Sequence, residues 1–224
     1  MTLNHLILIL DCSISDAFMQ NILIFLNSFT SRTGNEILLL SSENVIFQSF
    51  QGRPKWISAD RINTESADRI NTESADRIKT DNAGKIWYRF RNMNAAVISN
   101  IQKYIVDGKP SKIAKSLALG LLCKFCLSII SILTPIDSNK VLKTPMQANA
   151  KFRFLVFSDS SDQADDHIAF MNCVFAAQRK DIPIDICRLT SAKSLYLPQA
   201  ASLTKGVYMV IDKNNELIHV LMVP

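Results

Sequence analysis

The stretch Phe152–Leu189 constrains the fold most strongly, because its pattern predicts a strand, a helix and a second strand. Its first part, FRFLVFSDS, is a short apolar run closed by polar residues, which is typical of a buried strand. Apolar or long side chains then recur at helical spacing, at Ile168, Met171, Val174, Phe175 and Gln178. Pro183 ends that helix. The second strand is marked by Ile182, Ile184, Ile186 and Leu189. Two buried strands joined by a covering helix require a parallel sheet with helices on its faces.

The remaining chain continues the same alternation of strands and helices. Its predicted elements are a strand over His5–Leu10, a helix over Ala17–Phe29, strands over Glu36–Leu40 and Asn44–Phe50, helices over Met93–Val106 and 111–133, a helix over 193–203, a strand over Val207–Ile211 and a terminal helix over 215–222. The two segments Glu36–Leu40 and Asn44–Phe50 can also form one strand with a polar break at Ser41–Ser42. This order indicates an α/β fold with a doubly wound, mostly parallel sheet flanked by helices. At 224 residues, the whole chain is predicted to form a single domain, residues 1–224.

Two segments of the predicted helix–strand unit resemble one protein family. MN-x-x-FAAQ runs from Met171 to Gln178, and IDIC-x-L runs from Ile184 to Leu189. They are similar to the smaller von Willebrand A-like subunit of the TFIIH core complex, called subunit 4 in fungi and subunit 3 in animals. LPQAASLTKGVYM, from Leu197 to Met209, is also similar, but Lys205 stands where the family pattern has a glycine. The resemblance covers the first strand and nearly everything from about Met93 onward, and it implies a von Willebrand A-like domain.

Residues 52–85 have a different character, because they contain three tandem octads. SADRINTE occurs twice and is followed by SADRIKTD. An eight-residue period does not place the isoleucines on one face of a helix, and Ser, Thr, Asn and Asp disfavour helix interiors. No octad carries enough apolar surface to fold as a repeat unit. We therefore expect a low-complexity, disordered insertion over residues 52–85.

Composition narrows the class of protein further. The net charge of +5 comes from scattered basic residues, so it does not predict direct sequence-specific binding of nucleic acid. Five cysteines, an odd number, within or beside apolar runs favour reduced thiols in an intracellular compartment. The apolar run Leu117–Leu133 has Lys124 at its middle and is short for a bilayer span, so a buried helix is expected instead of a membrane segment.

A candidate metal site follows the first strand. Asp11, Ser13 and Ser15 are spaced like the first element of the metal-ion-dependent adhesion site found in many von Willebrand A domains. Ser111, six residues before Leu117, and Asp159, after the strand that precedes the helix–strand unit, supply the other two elements. Mg²⁺ prefers such oxygen ligands. The alternative is that Ser13, Ser15 and Ser111 cap helices and Asp159 only ends a strand.

Other motifs do not predict an active site. Cys123-x-x-Cys126 lies within the most apolar helix without a second pair or a nearby histidine, which favours core packing over a zinc site. The three histidines lie in different elements. Asp11 lacks the second aspartate that phosphatases of the haloacid dehalogenase type place two residues on, since Ser13 stands there. We therefore expect a protein that is not an enzyme.

The resemblance implies a non-catalytic scaffold subunit of TFIIH, acting in transcription initiation by RNA polymerase II and in nucleotide excision repair. It implies nuclear location and contact with other TFIIH core subunits, chiefly the larger von Willebrand A-like subunit that carries RING-type zinc modules. The family also has a C-terminal zinc-binding segment, which is absent up to Pro224 and is expected to be lost or truncated here. No cofactor is expected to be required.

Three alternatives remain open from the residues. The first is a Mg²⁺-dependent ligand-binding module of another intracellular complex, in which the five candidate ligands capture an acidic partner. The second is a von Willebrand A subunit of the proteasome, disfavoured because no ubiquitin-interacting helix follows the domain. The third is a hydrolase, disfavoured because the sequence shows no nucleophile, histidine and acid in a catalytic pattern.

Overall fold

The computed structural model describes residues 4–32, 35–41, 46, 56–57, 82–104, 113–133, 151–162, 164–191, 193–211 and 217. A 3₁₀ turn, Ala164–Asp166, precedes the fourth helix of this part. The strands and helices are β1 (Asn4–Asp11), α1 (Asp16–Thr30), β2 (Asn35–Ser41), α2 (Asn82–Tyr104), α3 (Ile113–Leu133), β3 (Lys151–Ser158), α4 (His167–Arg179), β4 (Ile184–Arg188), α5 (Tyr196–Leu203) and β5 (Tyr208–Val210).

The described strands form one sheet in the order β2-β1-β3-β4-β5, and every neighbouring pair is parallel. The predicted α/β fold with a mostly parallel sheet is therefore confirmed. The chain passes from β1 to β2 on one side, and later strands continue on the other side of β1. Ligands of open α/β sheets bind at such a reversal, beside the carboxyl ends of the strands.

Both faces of the sheet are covered, and this explains the wholly apolar run of β1. Ile7 and Ile9 belong to one buried cluster, which packs α3, α4 and α5 against the sheet. Leu6 and Leu8 point to the opposite face and belong to a second cluster with α1 and α2. Because alternate residues of a strand face opposite sides, a strand buried on both sides must be apolar throughout.

Helix α3 lies unusually close to the sheet at Gly120. A Cβ atom at this position would be 2.5 Å from the ring of Phe154 and 3.1 Å from Ile7. The missing side chain therefore permits the close packing. Within the part of the chain that the structure describes, no helix, α3 included, combines the length and apolar character needed to span a bilayer.

The residues on both sides of the octads belong to the described fold. Ile57 forms an antiparallel bridge with Ile37, and Trp56 is buried in the core. Helix α2 begins at Asn82, so the predicted insertion boundaries of 52 and 85 are too wide at both ends. Residues 58–81 lie outside the described residues, and their predicted disorder stays a prediction. The predicted strand over 44–50 and helix over 215–222 also lie outside them, apart from Ile46 and Leu217, which are buried.

Helix α4 is confirmed, but not all of the residues at the predicted helical spacing are buried. Ile168 is 75% exposed and Phe175 is 44% exposed. The helix carries apolar side chains on more than one face, and packing against the sheet and α3 selects the buried face. The buried residues of α4 are Phe170, Met171, Val174 and Ala177.

Candidate functional site

Polar side chains converge where β1 and β3 end, beside the reversal in strand order. The parallel register places Asp11 of β1 opposite Ser158 of β3. The loops that continue these strands carry Ser13 and Asp159, and the backbone N–H of Asp159 donates to the carbonyl of Asp11 at 3.2 Å. We call this region the carboxyl edge, defined by Asp11, Ser13, Ser158, Asp159 and Ser160.

Asp11 is buried, with 6% of its surface exposed. Its Oδ2 atom accepts hydrogen bonds from the hydroxyls of Ser158, at 3.1 Å, and Ser160, at 2.5 Å. A buried carboxylate requires such donors because it has lost its hydration. Asp11 is thus held by the strand and loop next to it.

Asp159 is held by the loop that follows β1. Its Oδ2 atom accepts hydrogen bonds from the backbone N–H of Ser13, at 2.9 Å, and from the Ser13 hydroxyl, at 2.8 Å. This contact ties together two loops separated by 146 positions in the chain. The structure therefore brings Asp11, Ser13 and Asp159 to one edge, as the sequence predicted.

Of the other two predicted ligands, the structure describes only Ser15. Ser15 is the N-cap of α1, and its hydroxyl accepts a hydrogen bond from the N–H of Phe18 at 3.2 Å. This is the capping role that the sequence offered as the alternative. Ser111 lies outside the described residues, so its position relative to the edge stays a prediction.

Arg188 is the residue of this region that sequence reasoning missed. It ends β4 and is fully buried, with 0% exposure. Its guanidinium donates to the hydroxyl of Ser158, at 3.3 Å, and to the carbonyl of Ser160, at 2.5 Å. The sequence did carry a signal for this residue. Arg188 is the last residue of β4, and β3, the strand paired with it, ends at Ser158.

The residues present do not fit an octahedral cation well. The Ser15 hydroxyl is occupied as a helix cap, and Asp11 accepts two serine hydroxyls. A fixed positive charge, that of Arg188, already lies among the same serines. Within the described ranges, no group of three or more His, Cys, Asp or Glu side chains is arranged to hold a metal ion. Hard divalent cations are normally held by several carboxylate or carbonyl oxygens.

The edge is negatively charged around Cys12. Burial raises the pKa of the Cys12 thiol well above its usual value, and the carboxylates of Asp159 and Asp11 raise it further. A thiol in this setting stays protonated and is a poor nucleophile. The electrostatics of the edge thus suppress cysteine chemistry.

A small pocket of about 40 Å³ lies next to the edge, between α3, α4 and α5. Asp162, on its wall, accepts hydrogen bonds from the hydroxyl of Ser194 and the N–H of Leu195, both at 2.6 Å. The pocket has room for about three or four water molecules. Asp162 therefore orders the start of α5, and the pocket offers no space for an organic substrate.

Other residues singled out in the sequence have structural positions. Cys123 is a buried free thiol in α3, whereas the side chain of Cys126 lies outside the described residues. His5 stacks on Phe152 with ring centroids 4.8 Å apart, and His167 contacts Tyr196 at 4.1 Å. His219 lies outside the described residues.

A sequence model of the family described as "Transcription factor Tfb4" matches residues 10–224. The general transcription and DNA repair factor IIH subunit tfb4 of Schizosaccharomyces pombe is 28% identical over 134 residues, covering 60% of this chain and 40% of that protein. General transcription factor IIH subunit 3 of Dictyostelium discoideum is 40% identical over 72 residues, covering 32% of this chain and 19% of that protein. These matches span less than half the length of either relative.

Solved structures agree on the fold. The crystal structure of the TFIIH p34 N-terminal domain superposes with a TM-score of 0.66 at 21% identity, covering 99% of this chain and 97% of that one. A von Willebrand factor type A protein from Catenulispora acidiphila gives a TM-score of 0.56 at 12% identity, covering 98% of this chain and 41% of that one. At these identities the likeness shows the fold alone, and it confirms the predicted von Willebrand A-like architecture.

Proposed function

Because this chain belongs to the Tfb4 family of transcription factors, we propose that it is a non-catalytic scaffold subunit of TFIIH. In this role it acts in RNA polymerase II transcription initiation and in nucleotide excision repair, in the nucleus. The observation that carries the proposal is the family match over residues 10–224, which includes every described helix and four of the five described strands in full.

The chemistry of the described residues supports a role without catalysis. The polar groups of the carboxyl edge are hydrogen-bonded to one another. Burial raises the pKa of the Cys173 thiol and raises that of Cys187 to about 12, so neither thiol is activated. The adjacent pocket is too small for a substrate. These features favour a surface that is recognised by other proteins.

We place the contact with another TFIIH subunit at the start of α4 and α5. Ile168 is 75% exposed and Leu195 is 77% exposed. Each is next in the chain to one member of the His167–Tyr196 ring pair, whose ring centroids lie 4.1 Å apart. Exposed apolar surface is typical of protein interaction sites. The occupant we propose is the larger von Willebrand A-like subunit with RING-type zinc modules.

Affinity purification of the tagged full chain from its source cells tests the scaffold role. We expect the other core subunits of TFIIH, including the helicases, to be recovered with it. Recovery of the chain without the helicase-bearing assembly, or turnover of a substrate by the purified chain, would contradict the proposal.

Paired surface variants test the docking position separately. Ile168→Ser with Leu195→Ser should weaken binding of the sister subunit by roughly tenfold or more, since two central apolar contacts are removed. The matched control is Ile24→Ser with Leu122→Ser, which removes apolar side chains of 47% and 58% exposure on α1 and α3. Equal loss in both double variants, or in neither, would place the interface elsewhere while leaving the scaffold role standing.

A further inference from the structure

We infer that the guanidinium of Arg188 takes the place of a divalent cation at the carboxyl edge, so that this von Willebrand A-like edge is complete without metal. The charge balance at this edge does not depend on whether the protein is a subunit of TFIIH.

The first support is the position of the charge. Arg188 is fully buried at the carboxyl end of β4, and β4 pairs with β3. A buried arginine keeps its charge, so it must face compensating groups. Ser158 and Ser160, which accept hydrogen bonds from Arg188, also donate hydrogen bonds to the carboxylate of Asp11.

Two short routes join the guanidinium to the carboxylate. The hydroxyl of Ser158 accepts a hydrogen bond from Arg188, at 3.3 Å, and donates one to Asp11, at 3.1 Å. Ser160 accepts from Arg188 through its carbonyl, at 2.5 Å, and donates to Asp11 through its hydroxyl, at 2.5 Å. Both serines are thus oriented with acceptors toward the cation and hydroxyl protons toward the anion. A metal ion bound by serine oxygens would impose the same polarity on the site.

The consequence concerns what the edge presents to solvent. Asp11 is joined to Arg188 on the inside through Ser158 and Ser160, whereas Asp159 is partly exposed and is bound by Ser13. No open coordination position is needed to hold the loops, because the hydrogen bonds already join them. The edge is therefore a fixed part of the scaffold and does not bind an acidic partner through Mg²⁺.

A double-mutant cycle on the full chain tests the inference. Arg188→Met and Asp11→Asn should each lower the melting temperature by roughly 10 °C, because each removes one charged end of a buried hydrogen-bond network and leaves the opposite charge less well compensated. The double variant should melt well above the temperature expected if the two losses were additive. The control is Arg153→Met, which removes a half-exposed arginine that pairs with Asp185 and should have a much smaller effect.

Metal binding gives a second readout, with Mn²⁺ as the probe in titration calorimetry. The wild-type chain should show no saturable binding at millimolar Mn²⁺, and Mg²⁺ should not raise its melting temperature. Saturable binding that Asp11→Asn abolishes would overturn the inference and support the Mg²⁺-dependent alternative. Additive losses in the mutant cycle would also overturn it. If Arg188→Met does not fold, the wild-type titration and Asp11→Asn alone still decide between these outcomes.

Discussion

Replacing Gly206 with alanine should destabilise the fold more than a change of one methyl group suggests. Gly206 lies between α5 and β5, and its N–H donates to the carbonyl of Ala201 at 2.8 Å. A Cβ atom here would be 2.0 Å from the carbonyl oxygen of Ile184 and 2.5 Å from its carbonyl carbon. The obstacle is backbone, which cannot rotate away as a side chain would.

The magnitude follows from how firmly Ile184 is held. Optimal non-bonded contact needs about 3.5 Å, so the two segments must separate by about 1.5 Å. Ile184 is buried in β4 opposite Phe154, and its N–H donates to the hydroxyl of Thr204 at 3.1 Å. Overpacking against such a site costs about 3 kcal/mol, the upper part of the usual range. For a chain of this size, the melting temperature should fall by roughly 6–12 °C.

Urea and thermal unfolding followed by circular dichroism measure the effect. The comparison variant is Gly120→Ala, whose Cβ would meet the ring of Phe154 and not a backbone. Alanine also gains about 1 kcal/mol over glycine inside a helix, so Gly120→Ala should cost less. A loss at Gly206 below about 0.5 kcal/mol, or one no larger than at Gly120, would refute the argument from backbone contact.

Three further variants test other features. Lys205 adopts a positive φ of 60°, which costs a non-glycine residue about 1–2 kcal/mol. Lys205→Gly should therefore raise the free energy of unfolding by up to about 1 kcal/mol. An unchanged midpoint of urea unfolding would contradict this. Ser15→Ala removes the cap on the N–H of Phe18 and should cost about 1 kcal/mol in the same assay, whereas Ser15→Asp should retain most of the stability. Burial raises the pKa of the Cys187 thiol to about 12, whereas the pKa of the thiol in the unfolded chain is about 8.5. The folded state therefore holds this proton more tightly, and stability should fall as pH rises above about 8.5. Cys187→Ala should flatten that decline in urea titrations between pH 7 and pH 10, and parallel declines in both proteins would count against it.

The sheet could be predicted from sequence because its strands are buried on both faces. A run such as Phe154–Phe157 has few alternatives to a central parallel strand, and the strand–helix–strand order then fixes the topology. Helix boundaries were less certain. The predicted start of α2 at Met93 was eleven residues late, since the polar start of that helix carries no apolar periodicity.

The orientation of α4 could not be predicted, for a physical reason. Ile168 and Phe175 form one apolar stripe, and Phe170 and Ala177 belong to another. Both stripes have helical spacing, so only packing against the rest of the fold chooses between them. The stripe that remains exposed is the one we assign in part to subunit contact.

The candidate site was predictable in position but not in chemistry. The sequence named Asp11, Ser13 and Asp159 as candidate metal ligands, and the structure places all three at one edge of the sheet. Their hydrogen-bond partners depend on Ser160 and Arg188, which come from loops and strands distant in sequence. Spacing along the chain reports where strand ends lie, but it does not report which neighbouring strand contributes a charge. Lys205 is a contrasting case, because its departure from the family glycine pointed directly to a residue with positive φ.

The buried Arg188 also bears on the order in which the sheet can assemble. Before β4 joins β3, the charge of Arg188 is not beside the two serines that bind Asp11, so the carboxylate must keep more of its hydration. The carboxyl end of β1 can therefore lose its hydration only when β4 pairs with β3. Closure of the sheet at its middle and removal of water from its polar end are, in this protein, one cooperative event.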